Sequence, residues 1–447
     1  NCAVYSAWIS WSLTITTRRS SNANARRKPT TRTLDGWLLT QRPRKFKVAT
    51  RKVPFAVVMV VAGDSDLAPQ VKADLDELVA GASDQVSVLL LVDLPGDTGA
   101  AIVEVTPRGI RPIAQETEIC TGDPLVLANF FSRALVSYSK ATRFALGFWG
   151  HGKGVFADDD PNEMVLPAAL LEYPMQGSPR PARRRRSGGV SAMGMLPDET
   201  SGGSLTNREA RSALAVAFAR AERTERVDMI FSDTCLNGSV EVFTELRDFT
   251  EVVVASSLLV PAGGWNYKFW LEMTKERKPA TARAWAELAV EAFETAHPQW
   301  GDFPKAQLAA FATQGPDLVK AFAKLVKALS ETSGRRQLLG FAANRVQSIQ
   351  YRENLDLEQL VLRLRDLAEK DGPLHQACRA FLEVFRESLV AISAAPEDGE
   401  DLSGLTVWCP IKGDLKKVSR YYPRLTFNKK TKWLKLLRDL EEDKQKA

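Results

Sequence analysis

Two residues with nucleophilic or acid–base chemistry stand at the ends of apolar runs. One run ends at Gly150, His151 and Gly152, and a second ends at Asp233 and Cys235. Short apolar runs that stop at small or polar residues are typical of buried strands in a parallel sheet, where ligand sites lie at the carboxyl ends. We therefore expect the imidazole and the thiol at one sheet edge. Such a pair is the minimum for a cysteine hydrolase, because the imidazole takes the thiol proton and later protonates the leaving amine.

The chain has three histidines, and their surroundings differ. His151 lies between two glycines, which let the backbone approach a substrate closely, although an ordinary turn histidine is the alternative. His297 precedes a proline at a predicted helix end and is interpreted as a surface or capping group. His375 lies in a segment of helical period, with no strand before it.

Cys235 precedes a predicted helix, whose N-terminus lowers a thiol pKa and supplies donors to an oxyanion. The alternative is a buried core cysteine. If Cys235 is the nucleophile, the backbone N–H groups of Gly152 and Cys235 are the expected oxyanion donors. Cys378 lies in a run that copies most of the caspase signature, but Ala380 stands where that signature has glycine. Because its segment has helical period, Cys378 is interpreted as a core residue.

Asp233 lies two residues before Cys235, so strand alternation places both side chains on one face. It is either a polar residue at a strand end or a carboxylate at the base of a substrate pocket that selects Lys or Arg.

Composition bounds the class of protein. The 447 residues are 45% hydrophobic and 26% charged, as in ordinary globular proteins, and no apolar run is long enough to span a membrane. The five cysteines are widely spaced and include no CxxC pair, so neither zinc nor a disulfide framework is expected. No cofactor is expected, with calcium as the alternative. A reducing, cytoplasmic location is predicted, with secretion as the alternative, because the first residues are not a standard signal peptide.

The positive charge is concentrated at the start of the chain. Residues 1–53 hold twelve Lys/Arg and one acid, Asp35, so this basic N-terminal arm carries about +11, and the remainder is near −5. Attraction to nucleic acid is therefore expected of the arm and not of the folded core.

The remaining chain divides into two parts. Residues 54–279 alternate strands and helices, and residues 280–447 are mostly helical with a closing strand at 404–410 and a final helix. The first part is interrupted by a long segment, 157–204, that is rich in Pro, Gly, Ser and Arg. Capping-box spacing at Thr206 and Glu209 predicts that a helix follows it. The segment contains a cluster of arginines: Arg180, Arg183, Arg184, Arg185 and Arg186.

Several ordered motifs resemble the clostripain-like cysteine peptidases, family C11. The resemblance covers roughly residues 54–440, and the matching motifs are Val60–Leu67, Thr121–Pro124, Gly150–Gly152, Asp233–Leu236 with Glu241 and Glu245, Val254–Ser256, Val260–Pro261 with Gly264–Tyr267, and Gly404–Pro410. Family membership implies a caspase-like fold, a three-layer α/β/α sandwich with a mostly parallel central sheet and here an added helical C-terminal part. It also implies a protein or peptide substrate and a bacterial source.

The resemblance implies a site as well as a fold. Cys235 and His151 form the dyad, Asp233 and Ser256 belong to an S1 pocket for basic residues, and the segment after the histidine is cut during maturation. Some family members need calcium, for which Asp64 and Asp66 are candidate ligands. Two positions depart from the family pattern: Gly263 and Ser257 stand where acidic residues are usual, which leaves the strictness of the Arg/Lys preference open.

Three functions follow from these patterns. The first is a cysteine endopeptidase that cleaves after Arg or Lys and is regulated through its arginine-rich segment. The second is a non-catalytic scaffold or regulator of the same fold, and the third is a nucleic-acid binder that uses residues 1–53. In the first two cases, the helical stretch 280–393 is a candidate surface for an activator or target protein.

Overall fold

The architecture is taken from a computed structural model of the chain. It describes residues 52–96, 99–115, 118–158, 195–296, 306–346, 348–349, 353–393, 402–410, 415 and 421–445. The basic arm up to residue 51, the arginines of the 157–204 segment and His297 lie outside these residues.

A nine-stranded sheet forms the centre of the molecule. Its strands are β1 (Phe55–Ala62), β2 (Val86–Leu94), β3 (Gly99–Thr106), β4 (Gly109–Gln115), β5 (Arg143–Trp149), β6 (Val227–Asp233), β7 (Thr250–Ala255), β8 (Ala309–Ala312) and β10 (Leu389–Ile392). They are arranged in the order β10-β8-β7-β6-β5-β1-β2-β3-β4. The five central strands pair in parallel with one another: β7, β6, β5, β1 and β2. The two strands added at each edge of the sheet pair antiparallel. The fold is therefore the mostly parallel α/β sandwich that the sequence predicted.

Both faces of the sheet are covered, and strand β1 shows why. All eight of its residues are buried and apolar. Ala56, Val58 and Val60 belong to one hydrophobic core, while Val57 and Val61 alternate into the other. A strand buried on both faces reads as a continuous apolar run, which explains why the central strands are visible in the sequence.

Helices pack on each face of the sheet. The helices are α1 (Ala68–Gly81), α2 (Pro124–Ser137), α3 (Asn207–Arg220), α4 (Val240–Leu246), α5 (Tyr267–Arg277), α6 (Ala282–Ala296), α7 (Leu318–Glu331), α8 (Arg335–Ala343), α9 (Leu357–Leu367), α10 (Pro373–Ser388), α11 (Thr426–Thr431) and α12 (Trp433–Gln445). Side chains of α1, α5 and α6 contribute to one core, and those of α2, α3, α4, α7, α9 and α10 contribute to the other. The predicted capping box at the start of α3 is confirmed, because the Thr206 and Glu209 side chains each accept a backbone hydrogen bond from the other residue.

The C-terminal part is built into the sheet and is not only a helical addition. Strands β8 and β10 extend the sheet beyond β7, which the sequence patterns did not indicate. The predicted closing strand exists as β11 (Thr406–Trp408), but it pairs with β9 (Asn354–Asp356) in a separate two-stranded sheet. The sequence predicts that residues 280–393 are mostly helical, because these added strands have only four residues each and show no clear strand pattern.

Two buried glutamates of α4 fasten the chain's last elements to the core. Glu241 accepts hydrogen bonds from the Trp408 N–H at 2.9 Å and from the Tyr422 hydroxyl at 2.7 Å. Glu245 accepts the N–H and the hydroxyl of Thr426, at 2.5 and 2.8 Å. Because α4 begins five residues after Cys235, these contacts position the segment that carries the thiol.

None of the helices in the described part of the chain is long and apolar enough to cross a bilayer.

Candidate active site

The strand order reverses at β1 and creates the crevice where α/β sheets bind ligands. β1 lies between β2 and β5, so the chain leaves the two central strands toward opposite sides of the sheet. Asp64 and Asp66 follow β1, and His151 follows β5. Cys235 follows β6, which pairs with β5 in parallel, with Trp149 opposite Asp233. The topology thus brings the two predicted reactive residues to the same edge, on neighbouring strands.

The two segments contact each other directly beyond the strand ends. The Gly150 N–H donates to the Asp233 carbonyl at 3.2 Å. A methyl group at position 152 would overlap the Cys235 carbonyl oxygen and lie 2.7 Å from Thr234 Oγ1. Gly152 therefore permits a backbone approach that no other residue allows, and this approach places His151 beside the Cys235 turn.

The His151 ring has a carboxylate partner, Asp66, which the sequence suggested as a calcium ligand. Its Nε2 lies 2.5 Å from Asp66 Oδ1, and the Asp66 side chain is otherwise exposed. The His151 carbonyl accepts the Leu196 N–H at 3.0 Å. The sequence gives no sign of this contact, because Asp66 and His151 are 85 positions apart.

The Cys235 thiol is partly buried and is held by the backbone of Val260. The Val260 N–H donates to Sγ at 3.3 Å, and the thiol faces the Val260 carbonyl at 3.8 Å. Burial raises the pKa of Cys235, and the Asp233 carboxyl adds to this, while the Val260 N–H opposes it. The resting group is therefore a protonated thiol, which needs a base to become a nucleophile.

The turn after the thiol is tight. Leu236 has a φ of 64°, a left-handed conformation that is uncommon for a leucine. It is held by the Leu236 N–H, which donates to the Leu258 carbonyl at 2.9 Å. The predicted oxyanion donors, the N–H groups of Gly152 and Cys235, have no acceptor among the described residues.

Asp233 is buried behind Cys235 and already has protein partners. Its Oδ2 accepts a hydrogen bond from the Tyr267 hydroxyl at 2.7 Å. The backbone N–H of Trp265 also donates to the carboxyl. Burial raises the pKa of Asp233 to about 7 despite these bonds. A Cβ at Gly264, where φ is 53°, would lie 2.9 Å from Oδ2, so glycine lets the backbone pack closely against the carboxyl.

Ser256 follows β7 at the level of Asp233, since the preceding residues Ser232 and Ala255 are paired. Its side chain is buried, and its hydroxyl oxygen accepts the Leu258 N–H at 3.0 Å. Asp233 and Ser256 therefore lie at the ends of adjacent strands.

The rejected cysteine candidates lie in the core. Cys378 is fully buried on α10, and burial raises its pKa to about 12. Cys120 and Cys409 are also buried, whereas Cys235 keeps partial exposure. His375 lies on α10 as well, away from any strand end.

An acidic cluster that the sequence did not reveal lies at the same sheet edge. Oxygen atoms of Asp64, Glu118 and Asp198 lie within 4.8 Å of one another. The three residues come from distant parts of the chain, so no local spacing indicates the cluster. It includes one of the two calcium candidates, Asp64, while the other, Asp66, contacts His151.

Comparisons with known proteins agree with this architecture. An X-ray structure described as an inactive zymogen C11 protease from Parabacteroides distasonis matches with a TM-score of 0.59 and 16% identity, over 86% of this chain and 99% of that one. A secreted C11 cysteine protease from Bacteroides thetaiotaomicron, solved with an irreversible peptide inhibitor, matches with a TM-score of 0.58 and 15% identity, over 85% and 99%. The predicted cytoplasmic location finds no support here, since this second relative is secreted. A search of curated proteins gave no match.

The family comparison covers the part of the chain that carries the thiol. The model of the clostripain family, Peptidase_C11, matches residues 186–388, which include Cys235 and the strands and helices around it. The structural matches extend the shared caspase-like fold over most of the chain. Together these findings show that the chain is similar to the clostripain-family (C11) cysteine peptidases, through the family model over residues 186–388 and through the fold over most of its length.

Proposed function

We propose that the chain is an endopeptidase that uses Cys235 as nucleophile and His151 as general base and acid, and that it cleaves after arginine or lysine. The packing of Gly152 on the Cys235 carbonyl carries this proposal. Among the described residues, Gly152 follows the only histidine at this sheet edge, and Cys235 is the only partly exposed cysteine.

In the proposed reaction, His151 accepts the thiol proton and the sulfur attacks the carbonyl carbon of the scissile bond. The carbonyl oxygen becomes an oxyanion, to which the N–H groups of Gly152 and Cys235 donate. The C–N bond then breaks, the amine leaves with the proton from His151, and water hydrolyses the thioester.

The contact with Asp66 indicates which nitrogen of the His151 ring acts as the base. With Nε2–H donated to Asp66, Nδ1 is the nitrogen left to accept the thiol proton. The positive charge that develops on the ring during proton transfer is then stabilised by the carboxylate. Asp66 is thus a positioning residue for the proposed general base.

Asp233 supports a preference for basic P1 residues. A buried carboxyl with a pKa near 7 gains from a cationic partner, because burial disfavours its charge and a guanidinium or ammonium group compensates it. Trp265 and Tyr267, which contact this carboxyl, are fully buried.

We expect Asp233→Asn to lower kcat/KM for Arg-P1 peptides by about a hundred- to a thousandfold, since a buried charge-assisted bond is lost. A Leu-P1 peptide, which has no charge, should change by less than about threefold. The measurement is a fluorogenic panel with Arg, Lys, Asp, Asn and Leu at P1. Asparagine keeps the shape of the side chain and an oxygen that accepts from Tyr267, so the fold is retained.

The pH dependence separates Asp233 from the dyad. The folded pKa of about 7 lies above the ordinary 3.8, so the carboxylate forms only as pH rises through 7. The ratio of Arg to Leu turnover should therefore rise between pH 6 and 8 in the wild type, and stay flat in Asp233→Asn. Titration of the dyad cancels in this ratio. A wild type that prefers Asp or apolar P1 residues would show that the specificity proposal is wrong.

The arginine-rich segment is proposed as the site of self-processing, cut next to Arg180, Arg183, Arg184, Arg185 or Arg186. Its two described flanks both lie at the site. The N-terminal flank continues from His151 into the short helix Gly154–Asp158. The C-terminal flank includes Leu196, whose N–H donates to the His151 carbonyl. The arginines match the pocket proposed for Asp233.

Purified wild type should therefore show two fragments on a denaturing gel that co-elute under native conditions, since β5 and β6 on either side of the cut stay paired. Cys235→Ala should remain intact and should be cut when active wild type is added. N-terminal sequencing of the second fragment locates the cut. An uncut wild type with full activity would contradict a regulatory role for this segment.

Binding of an activator or target by residues 280–393, and of nucleic acid by residues 1–53, stay predictions.

A further inference from the structure

A buried polar network lies beneath the turn that carries the proposed nucleophile. The side chains of Ser232, Thr234 and Asn237 are each at most 2% exposed. The hydroxyl oxygens of Ser232 and Thr234 lie 2.8 Å apart, so these two side chains share one face of the chain. Strand alternation places Asp233 and Cys235 on the other face. The proposed reaction uses that other face and leaves the buried network without a role.

The amide of Asn237 joins this network. Its Nδ2 lies 2.8 Å from Ser232 Oγ and 2.6 Å from Thr234 Oγ1. Buried polar side chains form hydrogen bonds with the groups around them, and these three bond one another across six consecutive positions of the chain. The chain must therefore bend between Ser232 and Asn237, and Cys235 lies within the bend.

The bend contains a backbone conformation that needs support. Leu236 has a φ of 64°, and such a conformation costs free energy and persists only where its surroundings hold it. Two backbone bonds contribute, from the Leu236 N–H to the Leu258 carbonyl at 2.9 Å and from the Gly238 N–H to the Ser256 carbonyl at 2.6 Å. The Asn237 amide adds side-chain bonds to the end of β6. The position of the thiol therefore depends in part on this amide.

The same amide contacts the segment that holds His151. Its Nδ2 lies 3.2 Å from the sulfur of Met195, whose side chain is buried. Met195 is itself held by two backbone bonds with Leu205, at 2.8 and 2.7 Å. The next residue, Leu196, donates its N–H to the His151 carbonyl at 3.0 Å. Asn237 thus links the turn of the thiol to the segment that holds the imidazole.

We propose that Asn237 is a positioning residue, whose amide fixes the turn that carries Cys235 and thereby the distance from the thiol to His151. This inference rests on the proposed function, in which these two residues are the nucleophile and the base. The buried amide acts through the backbone of the turn and not on the substrate. Because a displacement of about 1 Å between reacting groups costs about a hundredfold in rate, a loosened turn lowers kcat.

The first test is Asn237→Ala. Its kcat for an Arg-P1 peptide should fall by about thirty- to a hundredfold, whereas KM should change by less than about threefold, because the Asp233 carboxyl bonds other partners. Asn428→Ala is the matched control. The Asn428 side chain accepts the Leu434 N–H at 2.9 Å and joins α11 to α12, so this variant also loses a hydrogen bond of an asparagine. It should lower Tm and keep kcat, when both variants are assayed well below their Tm.

Two variants of Thr234 change the acceptor of the amide. Thr234→Ser keeps the hydroxyl and loses a methyl group, whereas Thr234→Val keeps a branched side chain and loses the hydroxyl. Thr234→Val should lower kcat by about tenfold, and Thr234→Ser should stay within about threefold of the wild type. Equal turnover in these two variants, or the reverse order, would overturn the proposal, since packing would then matter and the hydrogen bond would not. This pair keeps the test decisive if Asn237→Ala does not fold.

Amide hydrogen exchange reports the order of the turn without any hydrolysis. In the Cys235→Ala background, Asn237→Ala should speed exchange at Leu236 and Gly238 by at least about tenfold, whereas Asn428→Ala should not. Unchanged exchange, or faster exchange with unchanged kcat, would show that the proposal is wrong. Turnover of Cys235→Ala alone tests the proposed function, so the failure of one can be told from the failure of the other.

Discussion

Cys235→Ala is expected to lower kcat for peptide hydrolysis by about 10⁴- to 10⁶-fold, the range lost when the nucleophile of a covalent hydrolase is removed. The reason is that alanine has no group to attack the carbonyl carbon, while the pocket and the oxyanion donors stay in place. The measurement is turnover of an Arg-P1 fluorogenic peptide, together with a thermal melt of each variant. The melt should hardly change, since the thiol makes only long contacts to Val260.

Cys378→Ala is the control for this prediction. Cys378 lies in the run that resembles the caspase signature, but its side chain is fully buried on a helix. Its removal should cost some stability and leave turnover intact. An alkylating reagent should label Cys235 before the buried Cys120, Cys378 and Cys409, and the label should abolish activity. Undiminished turnover in Cys235→Ala, or its loss in a folded Cys378→Ala, would reverse the assignment.

The sequence predicts the central sheet well because its strands are buried on both faces. Strand β1 has no polar residue, and β6 keeps the apolar run Met229–Phe231 before it ends at Asp233. The position of the proposed dyad follows from one further rule, that the carboxyl ends of parallel strands lie at the same edge of the sheet. The capping box at Thr206 was visible because both of its partners lie within four residues.

Features that depend on contacts between distant segments were not visible. Strands β8 and β10 are too short for a pattern, and they join the sheet only through pairing with residues far along the chain. The contact of Asp66 with His151 depends on the folded turn after β1 and not on spacing. The acidic cluster of Asp64, Glu118 and Asp198 draws on three distant segments, so each of its residues looks like an ordinary polar residue at a strand or loop end.

Asp233 illustrates a limit of a different kind. Strand alternation placed it on the same face as Cys235, and the structure places it buried behind the thiol. The pattern could not indicate that Tyr267 and the Trp265 N–H already bond its carboxyl. Trp265 lies on the loop after β7 and Tyr267 begins α5. Their hydrogen bonds lower the pKa of Asp233 while burial raises it, and both effects exist only in the folded state.

Gly152→Ala is the second variant with a large expected effect, although it removes no functional group. The new methyl group would overlap the Cys235 carbonyl oxygen and crowd Thr234 Oγ1, which lies 2.7 Å from its position. Backbone atoms at the ends of two paired strands cannot rotate away, so the β5 and β6 termini must separate. A shift of about 1 Å between reacting groups costs on the order of a hundredfold in rate, and loss of one oxyanion donor costs about a hundred- to a thousandfold.

The expected result is a drop in kcat/KM of at least about a hundredfold, with the thiol still present and the Arg-to-Leu preference kept, because Asp233 is untouched. Gly340→Ala on α8 is the matched control, since a methyl group there meets no atom within 4 Å and alanine favours a helix. That variant should keep wild-type kcat/KM and lose no stability. Thermal melts separate misplacement of the dyad from unfolding, because Gly152→Ala should still melt cooperatively. Wild-type turnover in Gly152→Ala would mean that the approach of His151 to Cys235 does not depend on this contact, and the observation that carries the proposed function would lose its force.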